Sequence, residues 1–164
     1  MNKGKAELVP LSRMPPRPLP VFAAEREEGA ISPNQPARIL IVEDDYFVGL
    51  QDEDMLSKAG FSVVGVATTA DYALTLAARE IPDLVLMDIR LAYSGDGIEV
   101  AVKLLQRHQI RSIFVTGYAD PAARSRAVAA RPLGWLAKPF TTGALVKAVR
   151  EALATKRAEG GSLS

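Results

Sequence analysis

Five short apolar runs, separated by segments with helical spacing, constrain the fold of this chain more than any other feature. Each run is apolar and short enough to be a strand buried on both faces, which is typical of parallel sheets. The runs lie at residues 38–42, 62–67, 83–87, 112–116 and 134–137.

A segment with helical spacing follows each run, and the resulting alternation predicts an α/β fold with a doubly wound, five-stranded parallel sheet. In the first segment, Asp52 interrupts the apolar stripe of Val48, Met55, Leu56 and Ala59. Thr68, and Thr141 or Thr142, are candidate helix caps. The predicted helices lie at 46–59, 70–79, 97–107, 121–131 and 142–155.

Composition excludes several classes of function. Twenty basic and nineteen acidic residues give a net charge of +1, so no bulk field favours nucleic acid or an anionic membrane as a partner. The absence of cysteine excludes disulfides, thiolate metal sites and thiol catalysis. Because the sequence has neither a membrane-length apolar run nor a signal-peptide core, we expect a soluble, cytoplasmic protein.

The chain divides into three parts by composition. Residues 1–36 hold seven of the eleven prolines among mixed charges, which predicts a disordered Pro-rich N-terminal tail. The stretch MPPRPLP at 14–20 fits either a plain linker, the favoured interpretation, or a polyproline ligand. Residues 37–156 form the expected folded domain, and residues 157–164 are expected to be a flexible C-terminal tail.

Polar side chains follow four of the five predicted strands. Glu43, Asp44 and Asp45 follow the first, Asp88 the third, Thr116 ends the fourth and Lys138 follows the fifth. Taken singly, each has an equally good structural explanation. The acids could cap helices, the threonine could simply fill a strand position, and the lysine could extend its ammonium to solvent. Because the carboxyl ends of parallel strands meet at one edge of the sheet, their joint occurrence predicts a common site.

The residue types at this edge suggest phosphoryl transfer. Clustered carboxylates repel one another unless a cation lies among them, and an all-oxygen set suits Mg²⁺. An aspartate can itself attack phosphorus and form an aspartyl phosphate, while a metal ion, an ammonium and a hydroxyl share the charge of the transferred group.

The motifs RILIVEDD, DLVLMDIRL, IFVTG and LAKPF, in this order, resemble the receiver (CheY-like) domain of two-component response regulators. The resemblance covers about residues 37–156 and implies a flavodoxin-like sheet with strand order 2-1-3-4-5 and five helices. It implies the phosphoacceptor Asp88 and a Mg²⁺ site of Glu43, Asp44, Asp88 and the backbone carbonyl of Arg90. It further implies a switch hydroxyl on Thr116, a phosphate contact by Lys138 and a cis peptide bond before Pro139, whereas Asp45 is assigned to helix capping.

The resemblance also implies partners. The domain would take a phosphoryl group from a sensor histidine kinase or a histidine phosphotransferase and signal through altered binding to a downstream protein. It would not be an enzyme beyond slow autodephosphorylation. No DNA-binding motif is found, so we expect a stand-alone regulator without nucleic-acid or membrane partners. The oligomeric state stays open, and the resemblance implies the face of the fourth and fifth helices as the surface of any homodimer.

Two alternatives remain at this point. One is a phosphorylation-independent interaction module, supported by Trp135, which stands where the family usually has Tyr or Phe as its switch aromatic. Trp135 would either couple weakly to Thr116 or lie outward on a partner surface with Tyr118. Separately, FVTGY at 114–118 partly resembles the strand-four motif of stand-alone receivers. The other, an aspartyl phosphatase, is set aside because Arg90 stands where such an enzyme needs a general acid.

Overall fold

The structure is a computed structural model that describes residues 35–92, 95–117 and 120–161. Almost all of the predicted Pro-rich tail lies outside the described residues, and so does Tyr118. Disorder of the tail and a partner-surface role for Tyr118 therefore stay predictions.

The sheet lies where the apolar runs predict it. Its five strands are parallel and hydrogen-bonded in the order β2-β1-β3-β6-β7, with a separate antiparallel pair formed by β4 and β5. Leaving that pair aside, the order is 2-1-3-4-5, and the predicted doubly wound fold is confirmed. The strands are β1 Arg38–Val42, β2 Ser62–Ala67, β3 Leu84–Asp88, β4 Arg90–Leu91, β5 Gly95–Asp96, β6 Ser112–Thr116 and β7 Gly134–Ala137.

The helices also lie close to their predicted segments. They are α1 Tyr46–Lys58, α2 Ala70–Glu80, α3 Gly97–His108, α4 Pro121–Ala127 and α5 Thr142–Gly160. Each begins after a side chain that accepts a backbone N–H of the first turn, which satisfies an otherwise unpaired donor. The caps are Asp45, Thr69, Asp96, Asp120 and Thr141. Capping by Asp45 and Thr141 is confirmed, whereas the prediction of Thr68 is wrong because its neighbour Thr69 caps α2.

Two helix ends differ from the sequence prediction. The fourth helix ends at Ala127 and continues only as a 3₁₀ turn over Val128–Ala130. Arg131 then adopts a left-handed φ of 46°, and the following Pro132 disfavours a right-handed helical conformation at this position. In contrast, α5 continues to Gly160 beyond the expected boundary at Lys156, and Glu159 in its last turn pairs with Arg111.

Apolar side chains alternate across the sheet and pack against helices on both faces. One face meets α2, α3 and α4, and its strand residues include Leu40, Val42, Val85, Met87 and Phe114. The opposite face meets α1 and α5, and its strand residues include Ile39, Ile41, Leu84, Leu86 and Ile113. With both faces covered, the carboxyl edge of the sheet is where polar side chains converge. None of the described helices combines the length and apolar character needed to cross a membrane.

Candidate functional site

Four of the residues predicted at the strand ends form one cluster. Glu43 and Asp44 follow β1, Asp88 ends β3 and Lys138 follows β7. One carboxylate oxygen from each acid lies within 4.8 Å of the others. The Nζ of Lys138 donates to Glu43 Oε2 at 2.6 Å and to Asp88 Oδ2 at 2.8 Å, so a single ammonium bridges two carboxylates.

Backbone N–H groups hold the remaining carboxylate oxygens. The N–H of Asp45 donates to Glu43 Oε1 at 3.1 Å, and that of Arg90 donates to Asp88 Oδ1 at 2.8 Å. The N–H of Ala92 donates to Asp44 Oδ2 at 3.0 Å. Each acid is thus anchored by the chain that follows β1 or β3, which orients the carboxylates before any ligand arrives.

The pKa values within the cluster diverge. Burial raises the pKa of Glu43 to about 7, against opposing hydrogen bonds from Lys138 and Asp45. At Asp44, burial also acts to raise the pKa, but the hydrogen bond from Ala92 and contacts with its neighbours lower it overall. Near neutral pH, Asp44 is therefore ionised, whereas Glu43 is present in both its protonated and its ionised form. A cation that binds to Glu43 competes with the proton on its carboxylate.

Lys138 remains charged despite its partial burial. Burial alone would lower the pKa of Lys138, but its hydrogen bonds to Asp88 and Glu43 raise it above the ordinary value. Its backbone N–H donates to the carbonyl oxygen of Thr116 at 2.8 Å, and the bond between Lys138 and Pro139 is cis. The end of β6 thereby helps to hold the lysine in position.

The residues of the cluster fit Mg²⁺. They offer hard oxygen donors from three carboxylates that lie within 4.8 Å of one another, a donor set that suits Mg²⁺. Lys138 occupies one oxygen each of Glu43 and Asp88. Because the N–H of Arg90 binds Asp88, the Arg90 backbone adjoins the cluster, and ligation by the Arg90 carbonyl stays a prediction.

Thr116 is half-buried and lines a cavity of about 300 Å³ next to the cluster. The cavity lies between the β4–β5 pair and the start of α4. An ion pair between Arg126 of α4 and Asp96 at the start of α3 lies on its wall. The site therefore has open space on the side of Thr116, where a side chain or a ligand can be accommodated.

Trp135 lies under α4 rather than standing free of the domain. It is half-buried and packs against the core, with its ring centroid 5.1 Å from that of Phe114. The guanidinium carbon of Arg124 lies 4.6 Å from the centroid of the Trp135 ring. Between the two sequence-based alternatives, this geometry favours an inward packing role for Trp135.

Two residues near the cluster are missed by the sequence reasoning. Gly97 begins α3 with no room for a side chain, because a Cβ there would lie 1.9 Å from the carbonyl oxygen of Asp88. Asp52 is only 4% exposed, and burial raises its pKa to about 6, with Lys138 lowering it and Asp88 raising it. The sequence offers a signal for Asp52, since it falls at an apolar-stripe position of α1.

The fold and the site define a class of α/β signalling domains that present an aspartate at the carboxyl edge of a parallel sheet, beside two acids and a lysine. The family model described as "Response regulator receiver domain" matches residues 39–150. The chain belongs to this family, and receiver domains are phosphoacceptors of two-component signalling.

Individual relatives agree with this assignment. The chain is 30% identical over 122 residues to the transcriptional regulatory protein PdtaR of Mycobacterium tuberculosis, a match covering 74% of this chain and 59% of PdtaR. It therefore spans less than two thirds of that relative. It is 32% identical over 117 residues to the chemotaxis protein CheY of Bacillus subtilis, covering 71% of this chain and 97% of CheY.

A solved structure shows the same fold. The signal receiver domain of a modulated diguanylate cyclase from Desulfovibrio desulfuricans aligns with a TM-score of 0.71 at 31% identity. The alignment covers 76% of this chain and 99% of that domain.

Proposed function

We propose that this response regulator accepts a phosphoryl group on Asp88 from a phosphohistidine of a sensor histidine kinase or a histidine phosphotransferase. The observation that carries the proposal is the ammonium of Lys138, which bridges Asp88 and Glu43 while Asp44 lies in the same cluster. An aspartate that is anchored, nearly buried and next to a cation has the properties of a phosphoacceptor.

The reaction forms one bond and breaks another. A carboxylate oxygen of Asp88 attacks phosphorus, the bond between phosphorus and the imidazole nitrogen breaks, and that nitrogen keeps the electron pair and takes up a proton. The aspartyl phosphate brings roughly two negative charges to the edge of the sheet. Lys138, already 2.8 Å from Asp88, then compensates the charge of the phosphoryl oxygens.

Glu43, Asp44 and Asp88 would hold Mg²⁺ together with the backbone carbonyl of Arg90. When bound, the ion neutralises charge on the phosphoryl group during transfer. The backbone N–H groups of Asp45, Arg90 and Ala92 keep the three carboxylates oriented toward this common site.

The output is a change in protein binding. Thr116 accepts the backbone N–H of Lys138 and lines the cavity at the start of α4, and we assign its hydroxyl to contact with a new phosphoryl group. Movement there would reach α4 through Phe114, Trp135 and Arg124. We assign the surface of α4, β7 and α5 to a downstream protein or a second copy of this chain, with phosphorelay, phosphate sink or target docking as the cellular role. We do not assign catalysis beyond slow autodephosphorylation.

Acetyl phosphate tests the acceptor without a known kinase. The wild-type chain incubated with acetyl phosphate and Mg²⁺ should gain the mass of one phosphoryl group, and Asp88→Asn should gain none. Asp54→Asn is the matched control, because Asp54 is an exposed acid of α1 that pairs with Lys58 at the surface. An unmodified wild-type mass, or undiminished labelling of Asp88→Asn, contradicts the proposal.

The packing of Trp135 beneath Arg124 favours one second candidate, an interaction module that works without phosphorylation. A cation–π contact on the expected switch aromatic resists rotation of that ring. If this second candidate is correct, wild type and Asp88→Asn will capture the same partner equally well with and without acetyl phosphate. A phosphorylation-dependent difference in capture contradicts it.

A further inference from the structure

Asp52 is a buried acid that the mechanism above does not use. It is 4% exposed and lies on the buried face of α1 with Gly49 and Leu56. This face packs against the strand ends of the site, because a Cβ on Gly49 would lie 2.4 Å from Val66 and 3.7 Å from the Cβ of Glu43. Asp52 comes one helical turn after Gly49 on the same face.

The carboxylate of Asp52 accepts no hydrogen bond and forms no ion pair within the described part of the chain. Burying such a group is costly, and an apolar residue would complete the stripe of α1 at no such cost. Asp52 shares its buried helix face with Gly49, which adjoins Glu43 of the cluster, and Lys138 and Asp88 of the same cluster both influence its pKa. A buried acid beside a cluster of charged groups has a functional explanation more readily than a structural one.

The charge balance of the cluster gives Asp52 a role. The ammonium of Lys138 bridges Glu43 and Asp88 and cancels one of the negative charges of the cluster. It also repels a cation that approaches the oxygens it binds. One more carboxylate near Lys138 offsets this repulsion without occupying a ligand position.

We propose that Asp52 is a positioning residue of the cation site, whose charge offsets the ammonium of Lys138 and thereby raises the affinity of the acidic cluster for Mg²⁺. This inference rests on the proposed function, because it assumes that Glu43, Asp44 and Asp88 hold the ion. Asp52 acts through the field at Lys138 and does not itself ligate the metal.

Calorimetric titration of the metal-free full chain with MgCl₂ tests the role. Near neutral pH, Asp52→Asn should weaken Mg²⁺ binding roughly threefold to tenfold, the size expected for loss of one partly screened charge. Asp52→Leu should weaken it similarly while keeping the fold, which circular dichroism checks. Asp54→Asn removes an acid from the exposed side of the same helix and should bind Mg²⁺ as wild type does.

The outcomes separate this inference from the proposed function. If wild type binds Mg²⁺ and is labelled by acetyl phosphate, but Asp52→Asn binds Mg²⁺ equally well, the role of Asp52 alone is overturned. If Asp52→Leu keeps wild-type affinity, the charge of Asp52 is not the cause, and the inference is likewise overturned. If wild type binds no Mg²⁺, both the metal site and the role of Asp52 are overturned.

Discussion

Replacing Asp52 by asparagine should stabilise the metal-free protein at neutral pH. Burial raises the pKa of Asp52 from 3.8 to about 6, since the side chain lies on the buried face of α1 with little access to water. At about 1.4 kcal/mol for each pH unit, this difference means that ionised Asp52 costs the folded state about 3 kcal/mol. Asparagine has nearly the same shape and carries no charge, so it removes this cost.

The pH dependence fixes the sign of the effect. Because the pKa of Asp52 is higher in the folded state than in the unfolded chain, its contribution is most favourable below about pH 4 and is lost as the pH rises through 6. The cost to the wild type is about 1.6 kcal/mol at pH 5 and about 3 kcal/mol at pH 7.5. The advantage of Asp52→Asn over wild type should therefore grow by about 1.4 kcal/mol between these two values.

Urea unfolding followed by circular dichroism measures this difference, with EDTA present to exclude metal ions. Asp54→Asn serves as the control, because an exposed substitution is expected to change stability by less than about 0.5 kcal/mol. A variant Asp52→Asn that is no more stable than wild type at neutral pH would refute the reasoning. So would a gain of equal size at both pH values.

Three further predictions concern the surroundings of the site. Gly97→Ala should destabilise the fold by about 1–3 kcal/mol in urea unfolding and reduce labelling of Asp88, because the new Cβ meets the carbonyl oxygen of Asp88. The control Gly143→Ala should change neither the stability nor the labelling. Arg124→Ala should shift the emission of Trp135, the sole tryptophan, to longer wavelength and cost about 0.5–1 kcal/mol; unchanged emission contradicts this. Asp45→Ala should cost about 1 kcal/mol by uncapping α1, and equal stability would show that Asp45 is not an effective cap.

The sheet could be predicted because its strands carry a strong local signal. Each strand is covered on both faces, so it appears in the sequence as a short apolar run, and the parallel connections require the intervening helices. The same topology brings the residues after β1, β3 and β7 to one edge. The grouping of Glu43, Asp44, Asp88 and Lys138 therefore follows from sequence order alone.

Features that depend on contacts between elements could not be predicted in this way. Gly97 has no motif of its own, and its importance comes from the approach of α3 to the carbonyl of Asp88. In the sequence, Asp52 only interrupts a weak apolar stripe. Its position near the charged cluster could not be predicted, because a sequence does not show which side of a helix faces that cluster. The β4–β5 pair is only two residues per strand, too short for any periodic pattern.

In the proposed switch, Trp135 lies on the path by which a change at Thr116 would reach the surface. Phe114 and Thr116 both lie on β6, and the ring of Phe114 packs against Trp135, which Arg124 of α4 covers. A displacement at the end of β6 must therefore either move α4 or break the contact between Arg124 and Trp135. That contact is worth roughly 0.5–1 kcal/mol at a partly exposed site. A phosphoryl group that forms charge-assisted hydrogen bonds with Lys138 and Thr116 gains about 1.5–3 kcal/mol for each bond. If the proposed phosphorylation forms these hydrogen bonds, they outweigh the cation–π contact, and we expect Trp135 to bias the position of α4 without preventing its change.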